Sequence, residues 1–406
     1  MDLVQAKPTE VAVARARGLI NRGNRLRGLG NPGVADSLRC YEEAARMLEA
    51  LGSGETSPCR DDLASAWTNR GIALQHEGSP AGTEEAVACF DRAIGLRAPL
   101  VASGNPWFRY NLMGVWINRG DAQARLGGPE RTADSIACYE RALRLADGLV
   151  LRLRPEFPRR VALAHLNRGA VVLRQPGPEK LLEACRSYDS ALSALGPVGP
   201  SLSADDRLIA ASCWQGKADA LEKGGSAAEA RACAREALAL VAGRESGHGD
   251  AAVIGIKARL VLCADACRGL CRGGRPQPRE KEIAEAIEAV EDGLRLARQW
   301  EAEEAFQPLI RELFRFGTQA YAISQPHFLA EFIAEFRPLA GHGLEGEMRV
   351  IAAQALALAM GRVAAQGISS VGLRPIDETM ATFRGLRQAG EQLGPPSGLS
   401  ATRRSS

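Results

Sequence analysis

A short motif, Asn-Arg-Gly, occurs four times in the first half of this chain, and its spacing is the feature that most constrains the fold. Successive motif glycines are 71 − 23 = 48, 120 − 71 = 49 and 169 − 120 = 49 residues apart. An aromatic residue follows each motif, with an alanine three residues after it, at Tyr41, Phe90, Tyr139 and Tyr188. Self-similarity of this kind predicts a stacked array of short units, each packing mainly on its neighbours.

The repeated residues resemble the tetratricopeptide repeat (TPR), in which Trp-x-x-Leu-Gly lies on the first helix of a pair and Ala-x-x-x-Phe on the second. Trp67-x-x-Arg70-Gly71 and then Ala86-x-x-x-Phe90 show it best, and the resemblance covers roughly residues 10 to 242. It implies an all-α fold, a right-handed α-solenoid of stacked antiparallel helix pairs, that is, a TPR-like superhelix. A fifth, degraded unit has Gly216 at the glycine position and then Ala230-x-x-x-Ala234-x-x-Ala237, so it lacks the aromatic residue.

The chain departs from the TPR pattern in two ways. Its period is about 49 residues, whereas a TPR unit has about 34. The leucine that precedes the glycine in the family is arginine here, as at Arg70 and Arg119. We expect the aliphatic stem of this arginine to cover apolar surface while its charged head reaches water. The sequence therefore indicates a long-period variant of the family.

Helix-breaking prolines and glycines, together with the periodicity of apolar residues, predict where the helices begin and end. First helices are predicted at 60–78, 107–127, 159–175 and 204–223, and second helices at 34–51, 83–97, 131–152, 178–195 and 226–242. Beyond 243 we expect a further pair at 251–271 and 280–300, then helices at 306–324, 328–336, 345–366 and 376–393. Three regions follow: five TPR-like helix pairs in 1–242, degenerate pairs that continue and cap the solenoid in 243–394, and a disordered tail in 395–406.

The stretch Gly28-Leu29-Gly30-Asn31-Pro32-Gly33 spells G-x-G-x-x-G, the pattern of a phosphate-binding loop. Such a loop must follow a strand within a βαβ unit, and a helical segment precedes this one. We therefore interpret it as the turn between the first two helices, and we predict no nucleotide cofactor.

Composition argues against several classes of partner. With 51 basic and 48 acidic residues the net charge is +3, without the basic excess expected of a nucleic-acid-binding protein. No apolar run is long enough to span a membrane, and the N-terminal residues do not resemble a secretory signal. The ten cysteines are spread along helical segments, which favours reduced thiols in the cytoplasm. We expect a cytoplasmic protein that binds neither nucleic acid nor membrane.

No metal or catalytic site is apparent. Cys263, Cys267 and Cys271 share a helix face, but eight residues rise about 12 Å, whereas two thiolates on one zinc lie at most about 4.6 Å apart. Core packing is therefore the favoured interpretation. The five histidines are scattered, and neither a nucleophile elbow nor a P-loop lysine motif occurs. We expect no enzyme activity, no metal and no cofactor.

The candidate binding residues are Asn24, Asn69, Asn118 and Asn167. In TPR proteins the first helices line the concave groove, and asparagines at the positions of Asn24 and Asn69 resemble part of a clamp for peptide C-termini. The basic positions of that clamp fall on Ile20, Gly114 and Asn118, so the clamp is incomplete. A ladder of side-chain amides could still bind a peptide backbone, since each donates and accepts. The alternative, that Asn-Arg-Gly is only a packing solution, stays open.

These observations favour a non-enzymatic scaffold or adaptor that binds a protein or peptide segment in the groove. A second hypothesis is a regulatory or sensor subunit that binds a small molecule or a second protein through the half after residue 243. A helical-repeat protein that binds RNA is the third hypothesis. It ranks last because it requires a stripe of basic residues, which the near-neutral net charge does not suggest. The oligomeric state is not indicated by any of these patterns.

Overall fold

The structure is a computed structural model of the chain. It describes residues 8–51, 57–147, 154, 156–199, 202–271, 280–301, 303–325, 328–339 and 345–365. The side chains of 265–271, and the predicted helix at 376–393 and tail at 395–406, lie outside what it describes. The chain divides into two compact units, Met1–Ser226 and Ala227–Ser406.

All regular structure in the described residues is helical, which confirms the predicted fold class. Among its described residues the first unit contains nine α-helices: α1 Pro8–Arg27, α2 Asn31–Ala50, α3 Ser57–Glu77, α4 Pro80–Arg97, α5 Pro106–Leu126, α6 Pro129–Ala146, α7 Glu156–Val172, α8 Pro178–Leu195 and α9 Ala204–Lys223. A 3₁₀ helix, Ala98–Ser103, follows α4. These bounds match the predicted helices closely, except that α6 ends at Ala146. The last residues predicted for that helix, 148–152, lie outside the described residues.

The second unit contains six α-helices among its described residues: α10 Ala227–Val241, α11 Gly249–Cys271, α12 Glu280–Ala297, α13 Gln307–Ser324, α14 Leu329–Phe336 and α15 Glu345–Ala365. Within this unit α11 packs against α10, α12 and α13, and α13 packs against α12, α14 and α15. Phe314, Phe332 and Phe336 form its aromatic centre, with the rings of Phe314 and Phe332 5.8 Å apart. No described helix is long and apolar enough to cross a membrane.

The helices begin and end where local chemistry dictates. Proline stands in the first turn of α4, α5, α6 and α8, where its missing N–H is no loss. Ser79 Oγ accepts a hydrogen bond from the Gly82 amide and caps α4, and Ser203 Oγ accepts one from the Asp206 amide and caps α9. Between α1 and α2 lies the glycine-rich turn, with Gly30 at φ 76°. A helix on each side confirms that this G-x-G-x-x-G is an interhelical turn.

The predicted aromatic residues form the core of the first unit. Tyr41, Phe90, Tyr139 and Tyr188 are between 0% and 2% exposed. Each ring lies against the motif glycine of its own pair, so close that a Cβ on Gly71 would lie 2.6 Å from Phe90 Cε1. Real Cβ contacts are not this short, and the motif therefore needs glycine for close helix approach.

The first helices of the pairs form one layer of the first unit. Each of α1, α3, α5 and α7 packs on its own second helix, and each of α3, α5, α7 and α9 packs on the second helix of the preceding pair and on the preceding first helix. We call the surface made by α1, α3, α5, α7 and α9 the first-helix face. Stacking of this kind brings equivalent residues of successive pairs to the same level on neighbouring helices.

The sequence placed the fifth unit in the wrong register. Lys217 Nζ lies 2.7 Å from Asp189 Oδ1, a separation of 217 − 189 = 28 residues. The motif arginine Arg119 binds Asp91 at the same separation, 119 − 91 = 28. Lys217 thus takes the place of the motif arginine, and Gly216 takes the place of the asparagine. Helix α9 belongs to the first unit and α10 to the second, whereas the sequence set the regional boundary after 242.

Candidate functional site

Asn69 and Asn118 occupy equivalent positions on the first-helix face. Each lies two residues before a motif glycine, on α3 and α5, and each side chain is partly exposed. Neither side chain forms a hydrogen bond to another described residue. The first-helix face therefore presents two amides whose donors and acceptors are unused, on helices that pack directly against each other.

Asn167 has the equivalent position on α7, but its amide is engaged. Its Nδ2 donates to Asp121 Oδ1 on α5, at 2.9 Å. This contact shows that a side chain at this position reaches toward the preceding first helix. For Asn118 the residue that corresponds to Asp121 is Ile72, on α3, which has no polar side-chain atom. The difference explains why the Asn118 amide is left without a partner.

Asn24 lies at another position of the repeat. It directly follows the motif glycine Gly23, and its Oδ1 accepts a hydrogen bond of 2.8 Å from the Tyr41 hydroxyl. In the third pair Asp121 does the same for Tyr139, at 2.6 Å. The structure therefore groups Asn24 with Asp121, and it brings only Asn69, Asn118 and Asn167 to a common level.

Asp121 is the residue of this surface that the sequence analysis missed. Burial raises the pKa of its carboxyl to about 6, although hydrogen bonds from Tyr139 and Asn167 and the positive charge of Arg125 act in the opposite direction. One carboxylate oxygen thus joins α5 to both α6 and α7. The sequence signal was available, since an acceptor follows the motif glycine in both the first and third pairs.

Of the motif arginines, Arg22 is exposed as expected, whereas Arg70, Arg119 and Arg168 are only partly exposed. Arg119 Nε lies 2.7 Å from Asp91 Oδ1 on the preceding second helix, and its Nη1 donates to Cys138 Sγ at 3.1 Å. Arg70 likewise donates to the thiol of Cys89, but its carboxylate partner, Glu85, lies on the second helix of its own pair. Burial raises the pKa of both thiols, which keeps them protonated as acceptors. The guanidinium is held inside the repeat because the second helices supply its partners.

Two cavities open beside these contacts. One, of about 210 Å³, is lined by Glu42, Trp67, Arg70, Glu85, Ala88, Cys89 and Arg92. The guanidinium carbon of Arg92 lies 4.4 Å from the centre of the Trp67 ring, so a planar ligand would have to displace it before stacking there. The other, of about 830 Å³, is lined by Pro158, Asp189, Ser190, Ser193, Ala194, Gly196 and Pro197. Its one charged lining residue, Asp189, is paired with Lys217.

Cysteine chemistry at 263–271 is described only in part. Cys263 is buried, and its thiol donates to the Ala286 carbonyl at 3.3 Å. The side chains of Cys267 and Cys271 lie outside the described residues. Within the part of the chain that the structure describes, no group of three or more His, Cys, Asp or Glu side chains is placed to hold a metal ion.

No protein-family model matches the chain, and no curated protein matches it. Among solved structures, a circular tandem repeat protein with a novel repeat topology aligns with 94% of this chain and 100% of its own, at 14% identity and a TM-score of 0.31. An IFIT1 monomeric mutant with m7Gppp-AAAA aligns with 89% of this chain and 87% of its own, at 15% identity and a TM-score of 0.25. The TPR domain of P58(IPK) aligns with 93% and 99%, at 13% identity and a TM-score of 0.18. These similarities assign no function.

Proposed function

We propose that this chain is a long-period, TPR-like repeat protein of the cytoplasm that acts without catalysis as a scaffold or adaptor. It binds an extended segment of another protein on the first-helix face. The observation that supports the proposal is the pair of unused amides at Asn69 and Asn118, equivalent in the repeat and 118 − 69 = 49 residues apart.

The chemistry of these amides suits a peptide backbone. Every peptide unit offers one N–H and one C=O, and a carboxamide can satisfy both. Each hydrogen bond of this kind contributes about 0.5–1.5 kcal/mol net. Asn167 would contribute less, because its Nδ2 is already bound to Asp121. Asn24 would contribute least, since its Oδ1 already accepts from Tyr41.

The test begins with a phage-displayed library of random peptides of about 16 residues. At about 3.3 Å per residue these span five helices packed about 8–10 Å apart. Selected peptides are measured by calorimetry against the wild type and N69A/N118A. We expect the double variant to bind about tenfold more weakly, at about 1.4 kcal/mol per decade, with an unchanged melting temperature.

The matched control is R46Q/R144Q, which changes two exposed side chains on the second helices α2 and α6. It should retain wild-type affinity. If the asparagines serve packing alone, N69A/N118A melts at a lower temperature while the folded fraction binds as the wild type does. That pair of results would refute the proposal.

A further inference from the structure

A column of basic side chains crosses the first-helix face near the ends of its helices. Its members are Arg27, His76, Arg125, Arg174 and Lys223. All four separations are identical: 76 − 27, 125 − 76, 174 − 125 and 223 − 174 each equal 49. We call this set the cation column. One member comes from each first helix or from the turn directly after it.

Contacts show that neighbouring members lie together. Arg125 Nη1 donates to the carbonyl of Gln75 at 3.3 Å, and so reaches from α5 to the last turn of α3, beside His76. The pKa of His76 is lowered, by partial burial first and then by the positive charges of Arg27 and Arg125. These interactions place Arg27, His76 and Arg125 together at one edge of the first-helix face. Because its pKa is lowered, His76 is mostly neutral at neutral pH, so the positive charge of this edge comes from Arg27 and Arg125.

The column is open to a ligand. His76, Arg125, Arg174 and Lys223 are exposed, and Arg27 is partly exposed. No member has an Asp or Glu side chain within ion-pairing distance among the described residues. The motif arginines Arg119 and Arg168 lie on α5 and α7 of the same face, and each is paired with a carboxylate. The repeat thus neutralises one set of cations and leaves the other set unneutralised.

Helix dipoles do not account for the column. A cation anywhere in the last turn is favourable near a helix C-terminus. That effect does not require the same position in five successive units. Moreover α7 ends at Val172, so Arg174 stands beyond its helix.

The spacing of the column selects an extended acidic peptide. Packed helices lie about 8–10 Å apart, and a polyproline II segment advances about 9.3 Å in three residues. A carboxylate at every third residue would therefore meet one member of the column per repeat, which is an arginine or lysine in four repeats and the His76 imidazole in the other. A single-stranded nucleic acid needs exposed aromatic rings for base stacking. Here Trp67 and Trp116 already have Arg92 and Arg141 over their rings, at 4.4 and 4.8 Å.

We propose that the segment bound on the first-helix face is acidic, with a carboxylate at about every third residue that pairs with the cation column. This inference rests on the proposed function, because it assigns the chemistry of the segment bound there. Arg125 and Arg174 are the central exposed arginines and make the strongest pairs.

The probe is a fluorescein-labelled peptide of about five Glu-Ala-Pro triplets, which covers about 46 Å at about 3.1 Å per residue. Fluorescence anisotropy measures its affinity for the full chain. We expect R125Q/R174Q to weaken binding about five- to tenfold, R125K/R174K to retain most of it, and R46Q/R144Q, with the same loss of charge, to change it less than about twofold. A probe with glutamine for glutamate should not bind.

Equal weakening by R125Q/R174Q and R46Q/R144Q would overturn the inference, since it would show only an effect of net charge. Tighter binding of a uridine 15-mer, lost in R125Q/R174Q, would overturn it in favour of nucleic acid. If library peptides depend on Asn69 and Asn118 but not on Arg125 and Arg174, the inference fails while the proposed function stands. If binding of the library peptides depends on Arg125 and Arg174 alone, the cation column is supported, and Asn69 and Asn118 are excluded from the binding site.

Discussion

Substitution of Asp121 by asparagine should stabilise the protein above pH 6. The carboxylate is half-buried at the junction of α5, α6 and α7, and burial raises its pKa from 3.8 to about 6. The folded state then binds its proton more tightly than the unfolded state does. The free energy of unfolding falls as pH rises from about 4 to about 6, and the full penalty is present above that range.

The magnitude follows from the difference in pKa. A difference of about two corresponds to about 3 kcal/mol at about 1.36 kcal/mol per pKa unit, which is an upper bound for a group that retains some contact with water. Asparagine keeps Oδ1 and can still accept from the Tyr139 hydroxyl and the Asn167 amide. D121N should therefore gain about 1–3 kcal/mol at pH 8 and almost nothing at pH 4.

Urea unfolding at several pH values between 4 and 8, followed by circular dichroism, measures this difference. Other titrating groups contribute equally to both proteins and cancel in the comparison. Y139F provides the opposite perturbation: it removes a donor to the charged carboxylate, so the stability should fall more steeply with rising pH. A D121N protein less stable than the wild type at pH 8, with the deficit vanishing in acid, would show that the contacts lower the pKa more than burial raises it.

Two further predictions concern the aromatic core. Phe90→Ala should cost about 3–5 kcal/mol in urea unfolding, because Phe90 is fully buried; a loss under about 1 kcal/mol would contradict this packing. Gly120→Ala should cost about 1–3 kcal/mol, since its Cβ would lie 2.7 Å from Tyr139 Cε1. The matched control is Gly95→Ala in α4, where nothing lies within 4 Å of the added Cβ; it should gain about 0.5–1 kcal/mol. A loss as large at Gly95 as at Gly120 would show that overpacking is not the cause.

The core was predictable because its partners lie close in sequence. A motif glycine and the aromatic residue that packs on it lie on the two helices of one pair, as in Gly71 and Phe90, with a single interhelical turn between them. The packing of a large side chain on a small residue can be read directly from the residue types. Helix ends were predictable for the same reason, since proline and glycine act locally. The exception is α6, where the apolar pattern continued past the observed end at Ala146.

Side-chain contacts between residues of different helix pairs were not predictable from a single motif. The carboxylate that binds Arg119, Asp91, belongs to the preceding second helix and is not part of the motif. The motif therefore showed no partner for Arg119, and its side chain was expected to reach water. Asn24 was grouped with Asn69 because both positions resemble those of the peptide clamp, although its offset from the glycine places it with Asp121. The cation column was overlooked because its members differ in type. For such features the position of a residue within the repeat is more informative than its amino-acid type.

The polar contacts between pairs have a role that differs from that of the core. Arg119 with Asp91, Arg168 with Glu140 and Lys217 with Asp189 join α5, α7 and α9 to the preceding second helix at a constant 28 residues. The carboxylates are largely exposed, so each pair contributes at most about 1 kcal/mol. Buried tyrosine, phenylalanine and alanine must therefore supply most of the stability. The ion pairs instead favour one register between neighbouring pairs, because a shift along the helix would separate the charges. A fixed register is what keeps Asn69 level with Asn118, and Arg125 level with Arg174, on the first-helix face.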